Sequence, residues 1–214
     1  MTDLDALRSR WARTLLAVRR GAVEPDAAPY AENLLRRWSE PQRRYHTVGH
    51  LVAVLDHVDR LAAYADDPDT VRLAAWFHDA VYRPERSENE ERSARLAERA
   101  LPEAGVPQAT TAEVARLVRL TADHAPAPGD ANGAVLCDAD LAILAAPDET
   151  YATYAAAVRE EYAFVPEGVF RTARAALLRQ LLGQERMFRT PYGERTWAEA
   201  ARRNLRGELA RLEV

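Results

Sequence analysis

Apolar residues recur every three or four positions along almost the whole chain, which is the spacing of one face of an α-helix. The first stretch illustrates the pattern, with Leu4, Leu7, Trp11, Leu15 and Val18 on one face. Proline, glycine and polar turns separate the stretches. The stretches are residues 4–20, 27–39, 47–61, 69–80, 87–101, 108–122, 133–145, 148–162, 166–183 and 194–212. We therefore predict an all-α fold of about nine or ten helices.

Local signals refine this prediction. Thr47 is expected to cap the helix that follows it, and Ser87 with Glu90 has the spacing of a capping box. Residues 135–137 are short and apolar enough for a strand, but their alanine-rich flanks favour a helix. Because no long polar linker or internal repeat interrupts the chain, we expect residues 1–214 to form a single domain.

The basic residues exclude several kinds of chemistry. All 29 are arginine, so no lysine is present to form a Schiff base or to complete a phosphate-binding P-loop. The net charge of −4 argues against a nucleic-acid partner, which usually requires a basic excess. The last helix alternates arginine with glutamate, as a solvated charged face does.

Features of the chain favour a cytoplasmic location without membrane association. No apolar run approaches the roughly 20 residues that span a bilayer, and the N-terminus lacks the pattern of a signal peptide. The single cysteine, Cys137, cannot form an internal disulfide, which fits a reducing compartment.

A few histidines and acidic residues stand out against this helical background. His46 and His50 are four residues apart and share one helix face, and the doublet His78-Asp79 ends an apolar helix. Asp140 lies within another apolar stretch. Buried carboxylates are costly unless they are paired or bind a metal, and His and Asp together suit divalent ions. The residues therefore point to a metal site.

The order His50, His78-Asp79, Asp140 on helices resembles the HD-domain superfamily of metal-dependent phosphohydrolases. The resemblance covers about residues 45–145, with helical flanks on both sides. The stretch from Tyr45 to His50 is also similar to the Y-H-x-x-x-H segment of cyclic-nucleotide phosphodiesterases. The segments FHDAVY, SENEERSA and DADLAIL resemble a small bacterial subgroup of predicted phosphohydrolases, over nearly the whole chain.

This resemblance implies a helical bundle of the HD type and roles for specific residues. His50, His78, Asp79 and Asp140 would be metal ligands, and His46 the general acid. The structural alternatives are that the histidines are core residues with their hydrogen bonds satisfied, that the aspartates cap helices, and that His46 has only a structural role. Asp138 is the alternative to Asp140 as a metal ligand. The match to the family's Asp-Leu pair favours Asp140. One divalent ion is expected (Mn, Ni, Co, Zn, Fe or Mg), and a second metal is less favoured because the fuller set of extra histidines is missing.

Further residues are candidates for contacts with substrate or for supporting roles. Arg83 could bind phosphate, as could Arg43 or Arg44, and the pair Asn89 and Glu90 recurs at this place in the subgroup, where it would orient the attacking water. His124 would touch substrate phosphate, bind a second metal, or only end its helix. We interpret His57 as structural.

The expected function is a metal-dependent hydrolase of phosphate mono- or diesters, with nucleotides among the candidate substrates. Its partner would then be a phosphorylated small molecule, and the oligomeric state is left open. One alternative is a non-catalytic module that binds a metal or nucleotide. Another, an oxygenase with two irons, would need more histidine ligands than this chain offers.

Overall fold

The computed structural model describes residues 3–213, and all regular structure in this range is helical. The all-α prediction is therefore confirmed, with eleven α-helices in the described range where nine or ten were expected. The helices are α1 (Leu4–Val18), α2 (Ala28–Trp38), α3 (Val48–Leu61), α4 (Pro68–Phe77), α5 (Asn89–Glu103), α6 (Gln108–Leu120), α7 (Ala131–Leu141), α8 (Asp148–Glu161), α9 (Glu167–Leu182), α10 (Pro191–Thr196) and α11 (Ala198–Leu212). Short 3₁₀ turns follow α3 (Ala62–Tyr64) and α7 (Ala142–Ala145).

The additional helix arises near the C-terminus. The last predicted helix is divided at Trp197, whose backbone N–H closes α10 by donating to Gly193 while the chain changes direction into α11. Thr47 caps α3 as predicted, because its side chain accepts the N–H of Gly49. Residues 135–137 are helical, within α7.

The predicted capping box at Ser87 and Glu90 is wrong. The helix α5 begins at Asn89, its N-cap position is Glu88, and no side chain caps it. The loop before α5 is instead held by Asn89, whose side-chain amide binds backbone groups of Arg83 and Arg86. These bonds supply the local order that a capping box would otherwise provide.

The helix α4 lies at the centre of the packing. It contacts α1, α3, α5, α6 and α7, and its residues from Leu73 to Phe77 are at most 1% exposed. Buried apolar side chains from Leu7 in α1 to Leu205 in α11 belong to one continuous cluster. The C-terminal end of α4 therefore delivers the doublet that follows it, His78-Asp79, to the edge of this cluster.

Two neighbours of α4 bring the other candidate residues to the same place. The helices α3 and α7 pack against α4 and against each other, which sets His50 and Asp140 beside the doublet. The helix α8 reaches this region through the 3₁₀ turn after α7. Within residues 3–213, no helix combines the length and the apolar character needed to cross a membrane.

Candidate metal centre

Three side chains from three helices meet at the end of α4 in an arrangement that can hold a metal ion. His50 Nε2 lies 3.2 Å from His78 Nε2 and 3.1 Å from Asp140 Oδ1. His78 Nε2 is 3.6 Å from the same Asp140 oxygen. One donor atom from each residue falls within 4.8 Å of the other two.

Asp79 approaches this cluster from the doublet itself. Its Oδ2 lies 3.3 Å from His78 Nε2 and 3.9 Å from His50 Nε2. Ligands at bonds of about 2.0–2.1 Å from one ion lie about 2.9–3.4 Å apart at cis or tetrahedral angles. The separations among His50, His78 and Asp140 lie at or just above that range, so these three residues fit one small divalent ion. Asp79 lies next to His78 but outside this group of three.

Hydrogen bonding leaves the outer nitrogen of His78 free for a ligand. His78 Nδ1 donates to the carbonyl oxygen of Ala75 at 2.8 Å, within the last turn of α4. In the neutral ring, Nε2 therefore carries the lone pair and faces the cluster, an arrangement common among metal-binding histidines. The ring of Trp38 packs 5.3 Å from that of His78 and fixes its orientation from behind.

The cluster keeps its carboxylates ionised. Burial alone raises the pKa of Asp79 and of Asp140, but the adjacent His78 outweighs it and holds both pKa values below their usual range. Burial lowers the pKa of His50, which therefore favours the neutral ring. Burial lowers the pKa of His78, but Asp79 and Asp140 outweigh it and raise that pKa well above its usual value, so a metal would have to displace a proton from His78 Nε2.

The structure distinguishes Asp140 from its rival Asp138. The Asp138 carboxylate accepts the backbone N–H groups of Arg189 and Thr190 and the Thr190 hydroxyl, all at 2.7 Å. It therefore holds the segment before α10 and faces away from the histidines. Asp140 lies within α7 and Asp79 follows α4, so neither carboxylate serves as a helix N-cap.

His124 also reaches the cluster, through Asp140. His124 Nε2 lies 2.8 Å from Asp140 Oδ2, the oxygen that His50 does not approach. The residue follows α6 with a positive φ of 51°, a conformation that histidine adopts more readily than most residues. His124 thus orients a carboxylate of the site rather than only ending a helix.

His46 lies beside the cluster, positioned by an acidic residue that the sequence did not single out. His46 Nδ1 is 2.7 Å from Glu161 Oε2, and His46 Nε2 is 3.9 Å from Asp79 Oδ2. Glu161 Oε1 accepts the backbone N–H groups of residues 44–46, and Oε2 also accepts the hydroxyl of Tyr82. One carboxylate at the end of α8 therefore fixes both the ring and the loop that carries it.

A sequence signal for Glu161 existed in the pattern of α8. Tyr151, Val158 and Glu161 are the buried residues of that helix and share one face. A glutamate in line with apolar residues is either paired or functional. Its partner is 115 residues away in the chain, which no local pattern identifies.

Arg43, which the sequence makes a candidate phosphate ligand, has a structural role. Its side chain is fully buried, and its guanidinium donates to the backbone carbonyls of His46 and Asp79, both at 2.8 Å. It ties the loop of His46 to the doublet. Arg44 lies at the surface, 3.5 Å from Glu160.

The remaining predicted residues lie in and after the loop that follows the doublet. Arg83 is exposed, and its backbone is held by the Asn89 amide. Because the loop backbone engages that amide, Asn89 orders the loop and, within residues 3–213, forms no hydrogen bond with a residue of the cluster. Glu90 lies half-buried in the first turn of α5, and within residues 3–213 its carboxylate forms no hydrogen bond or ion pair.

A cleft of about 660 Å³ opens at the cluster. Its walls come from α3, α8, the 3₁₀ turn after α7 and Trp197, and His50 and Asp140 belong to its lining. His57, interpreted from sequence as structural, also lines it, with its ring 5.2 Å from that of Trp197.

Compared with protein-family models, with curated proteins and with solved structures, the chain shows no significant match to any of them. The resemblance to the HD superfamily therefore stays a prediction, and a functional interpretation depends on the geometry of the site.

Proposed function

We propose that the protein is a metal-dependent hydrolase of phosphate mono- or diesters, with nucleotides among its candidate substrates. The observation that supports this proposal is the convergence of His50, His78 and Asp140, with Asp79 3.3 Å from His78 and His46 held beside them by a separate carboxylate. The first four offer metal ligands, and the fifth offers a proton donor.

A divalent ion held by His50, His78, Asp79 and Asp140 would lower the pKa of water and polarise a phosphoryl oxygen, which is the chemistry that phosphate ester hydrolysis needs. The protein contributes by holding these ligand side chains in fixed positions. His78 is fixed by its bond to Ala75, and the Asp140 carboxylate by His124.

His46 would donate a proton to the leaving oxygen of the ester. Its Nδ1 is engaged by Glu161, so Nε2 is the atom directed towards the cluster. Burial lowers the pKa of His46, but Asp79 and Glu161 outweigh it, and the pKa lies above its usual value. A positioned acid of this kind contributes about 10²–10⁴-fold to a rate.

Aromatic side chains limit the access of water to this donor. The Tyr45 ring lies 4.9 Å from the His46 ring and 4.7 Å from the His50 ring, and Tyr82 stacks against His46 at 4.3 Å. Exclusion of water strengthens the electrostatic interactions between the donor and a bound phosphate.

The test combines metal analysis with a hydrolysis assay. Purified protein is analysed for bound metals, stripped with a chelator and reloaded with Mn²⁺, Co²⁺, Ni²⁺ or Mg²⁺, and release of inorganic phosphate from a panel of phosphate esters is measured. We expect near-stoichiometric metal and phosphate release that the chelator abolishes. Metal without turnover would favour the non-catalytic binding module.

Paired variants connect the result to the site. Asp79→Ala should lose both metal and turnover while its circular dichroism stays helical. Asp66→Ala, an exposed aspartate before α4, should retain both. Full activity in Asp79→Ala would refute the proposed site.

A further inference from the structure

We propose that the cleft between α3, α8 and the 3₁₀ turn after α7 binds the organic part of the substrate, and that it selects an ester with one phosphate group on an uncharged, largely apolar moiety. The inference rests on the proposed function for the phosphate end of the ligand. The cleft itself is a separate feature that can be tested by binding alone.

The cleft is continuous with the cluster and large enough for a small molecule. His50 and Asp140 form part of its wall, so a phosphate at the cluster would have its organic group beside the cleft. Its volume of about 660 Å³ lies within the range of about 300–1,000 Å³ for ligand pockets.

Most of the lining is apolar. Small aliphatic side chains from three elements cover the walls, and the far end is aromatic. The wall residues include Ala53, Val54, Ile143, Ala146, Pro147 and Ala157. Trp197 forms the aromatic end and is held in place by the rings of Phe188 and Tyr192, 5.5 Å and 5.4 Å away. Such a surface gains free energy by burying an apolar group.

The charges in the lining match a single phosphate. Among the described residues that line the cleft, Arg44 is the only one with a permanent positive charge. Its side chain is 49% exposed and is engaged by Glu160 and by the carbonyl oxygen of Pro41. Sites for di- and triphosphates clamp the additional charge with several cations. This cleft offers no comparable clamp for a second phosphate.

The hydroxyl groups of the cleft wall disfavour a sugar as the organic moiety, so the cleft narrows the proposed substrates to esters without a sugar and removes nucleotides from the candidates. The Thr153 hydroxyl donates to the carbonyl oxygen of Glu149, and the Tyr154 hydroxyl accepts from Arg174. The hydroxyls of Thr47, Thr153 and Tyr154 each make one hydrogen bond already, and the remaining wall is mostly aliphatic. A ligand hydroxyl that faces the aliphatic part would lose its bonds to water, at a cost of about 1–3 kcal/mol for each one left unpaired.

Calorimetry with 1-naphthylmethylphosphonate, which has one phosphonate and cannot be hydrolysed at an ester bond, tests this inference without turnover. The probe is titrated into the full-length protein with and without Mn²⁺, alongside adenosine diphosphate and glucose 6-phosphate. We expect it to bind at least tenfold more tightly than either comparison ligand. Tighter binding of the diphosphate or the sugar phosphate would overturn the selectivity.

A matched pair of variants in α8 assigns the binding to the cleft. Ala157→Leu extends a side chain into it, whereas Ala156→Leu adds the same group to an exposed position outside it. We expect the first to weaken probe binding at least tenfold and the second to leave it unchanged. Ala53→Leu, on the opposite wall, should act like Ala157→Leu, and provides the test if the latter does not fold.

The outcomes separate this inference from the proposed function. If Ala157→Leu or Ala53→Leu weakens probe binding, the cleft assignment is supported, whether or not any ester is hydrolysed. Absence of phosphate release from every ester would refute the hydrolase but not the cleft assignment. Equal binding to both cleft variants and to Ala156→Leu would overturn the cleft assignment, even if the protein hydrolyses phosphate esters.

Discussion

Replacement of Glu161 by glutamine tests whether this carboxylate organises the loop of His46. In the folded protein Glu161 is 5% exposed, and its two oxygens accept five hydrogen bonds from the loop, the His46 ring and Tyr82. Glutamine has almost the same shape but only one oxygen. If the amide oxygen keeps the backbone N–H groups of the loop, the NH₂ group faces the His46 ring and the Tyr82 hydroxyl, which donate in the wild type and would have to rearrange in order to accept.

The expected cost follows from these contacts. A hydrogen bond to a charged group contributes about 1.5–3 kcal/mol, and a buried donor left unpaired costs about 1–3 kcal/mol. Because the Tyr82 hydroxyl can rotate and His46 can change tautomer, we expect Glu161→Gln to lower the free energy of unfolding by about 2–4 kcal/mol. At about 2–4 °C per kcal/mol for a chain of this size, the Tm should fall by about 4–16 °C.

The neighbouring residue supplies a matched control. Glu160 lies on the same helix, its side chain is 66% exposed, and its one ion pair within residues 3–213 is with the half-exposed Arg44, at 3.5 Å. Exposed ion pairs contribute about 0–1 kcal/mol, so Glu160→Gln should change the Tm little. Thermal and urea unfolding of the two variants measure the difference, and equal Tm values would refute the role assigned to Glu161.

Lowering the pH should reduce the difference in stability between wild type and Glu161→Gln. Burial raises the pKa of Glu161, but His46 and the loop N–H groups outweigh it and lower the pKa from 4.5 to about 2. A carboxylate with a lowered pKa in the folded state stabilises the fold above its unfolded pKa and loses this effect as the pH falls towards its folded pKa. The stability gap between wild type and Glu161→Gln should therefore narrow as the pH falls from 4.5 towards 2.

Three further predictions concern other residues. His46→Ala should keep its metal but slow phosphate release by about 10²–10⁴-fold, and loss of metal in elemental analysis would make His46 a ligand instead. Asp138→Ala should lower the Tm and retain metal, whereas Asp140→Ala should lose metal; the reverse pattern would exchange their roles. Glu208 forms a buried pair with Arg174, and although burial raises its pKa, the hydrogen bond from Arg174 lowers the pKa overall. Wild type should therefore lose stability to urea below pH 4.5 more steeply than Glu208→Gln, and parallel curves would contradict this.

Helix positions could be predicted from sequence because the apolar spacing that defines them is local. The bounds of α1, α2 and α3 lie within two residues of the predicted ranges. The break at Trp197 could not be predicted in this way. The apolar pattern continues through it, and the ring of Trp197 packs against His57 of α3, a contact that no local pattern identifies.

The site was accessible from sequence only where its residues form a motif. His50, His78, Asp79 and Asp140 were found as histidines and carboxylates at conspicuous places in apolar helices, and the structure brings them together. Asn89, singled out by the resemblance to the bacterial subgroup, instead binds loop backbone. A polar residue near a motif thus has two interpretations, and only its hydrogen-bond partners distinguish them.

The carboxylates of this region separate into two groups by the donors that surround them. Asp138 and Glu161 each accept two or more backbone N–H groups, which fix a loop and leave few lone pairs for any other partner. Asp79 and Asp140 accept no backbone N–H group from residues 3–213 and lie instead against imidazole nitrogens. Asp140 Oδ1 lies 3.1 Å from His50 Nε2 and Asp79 Oδ2 lies 3.3 Å from His78 Nε2, and a bound cation would compensate the negative charge of the two carboxylates. This contrast, more than the presence of histidine and aspartate alone, is why we propose this cluster as the metal site and Glu161 as the residue that positions His46.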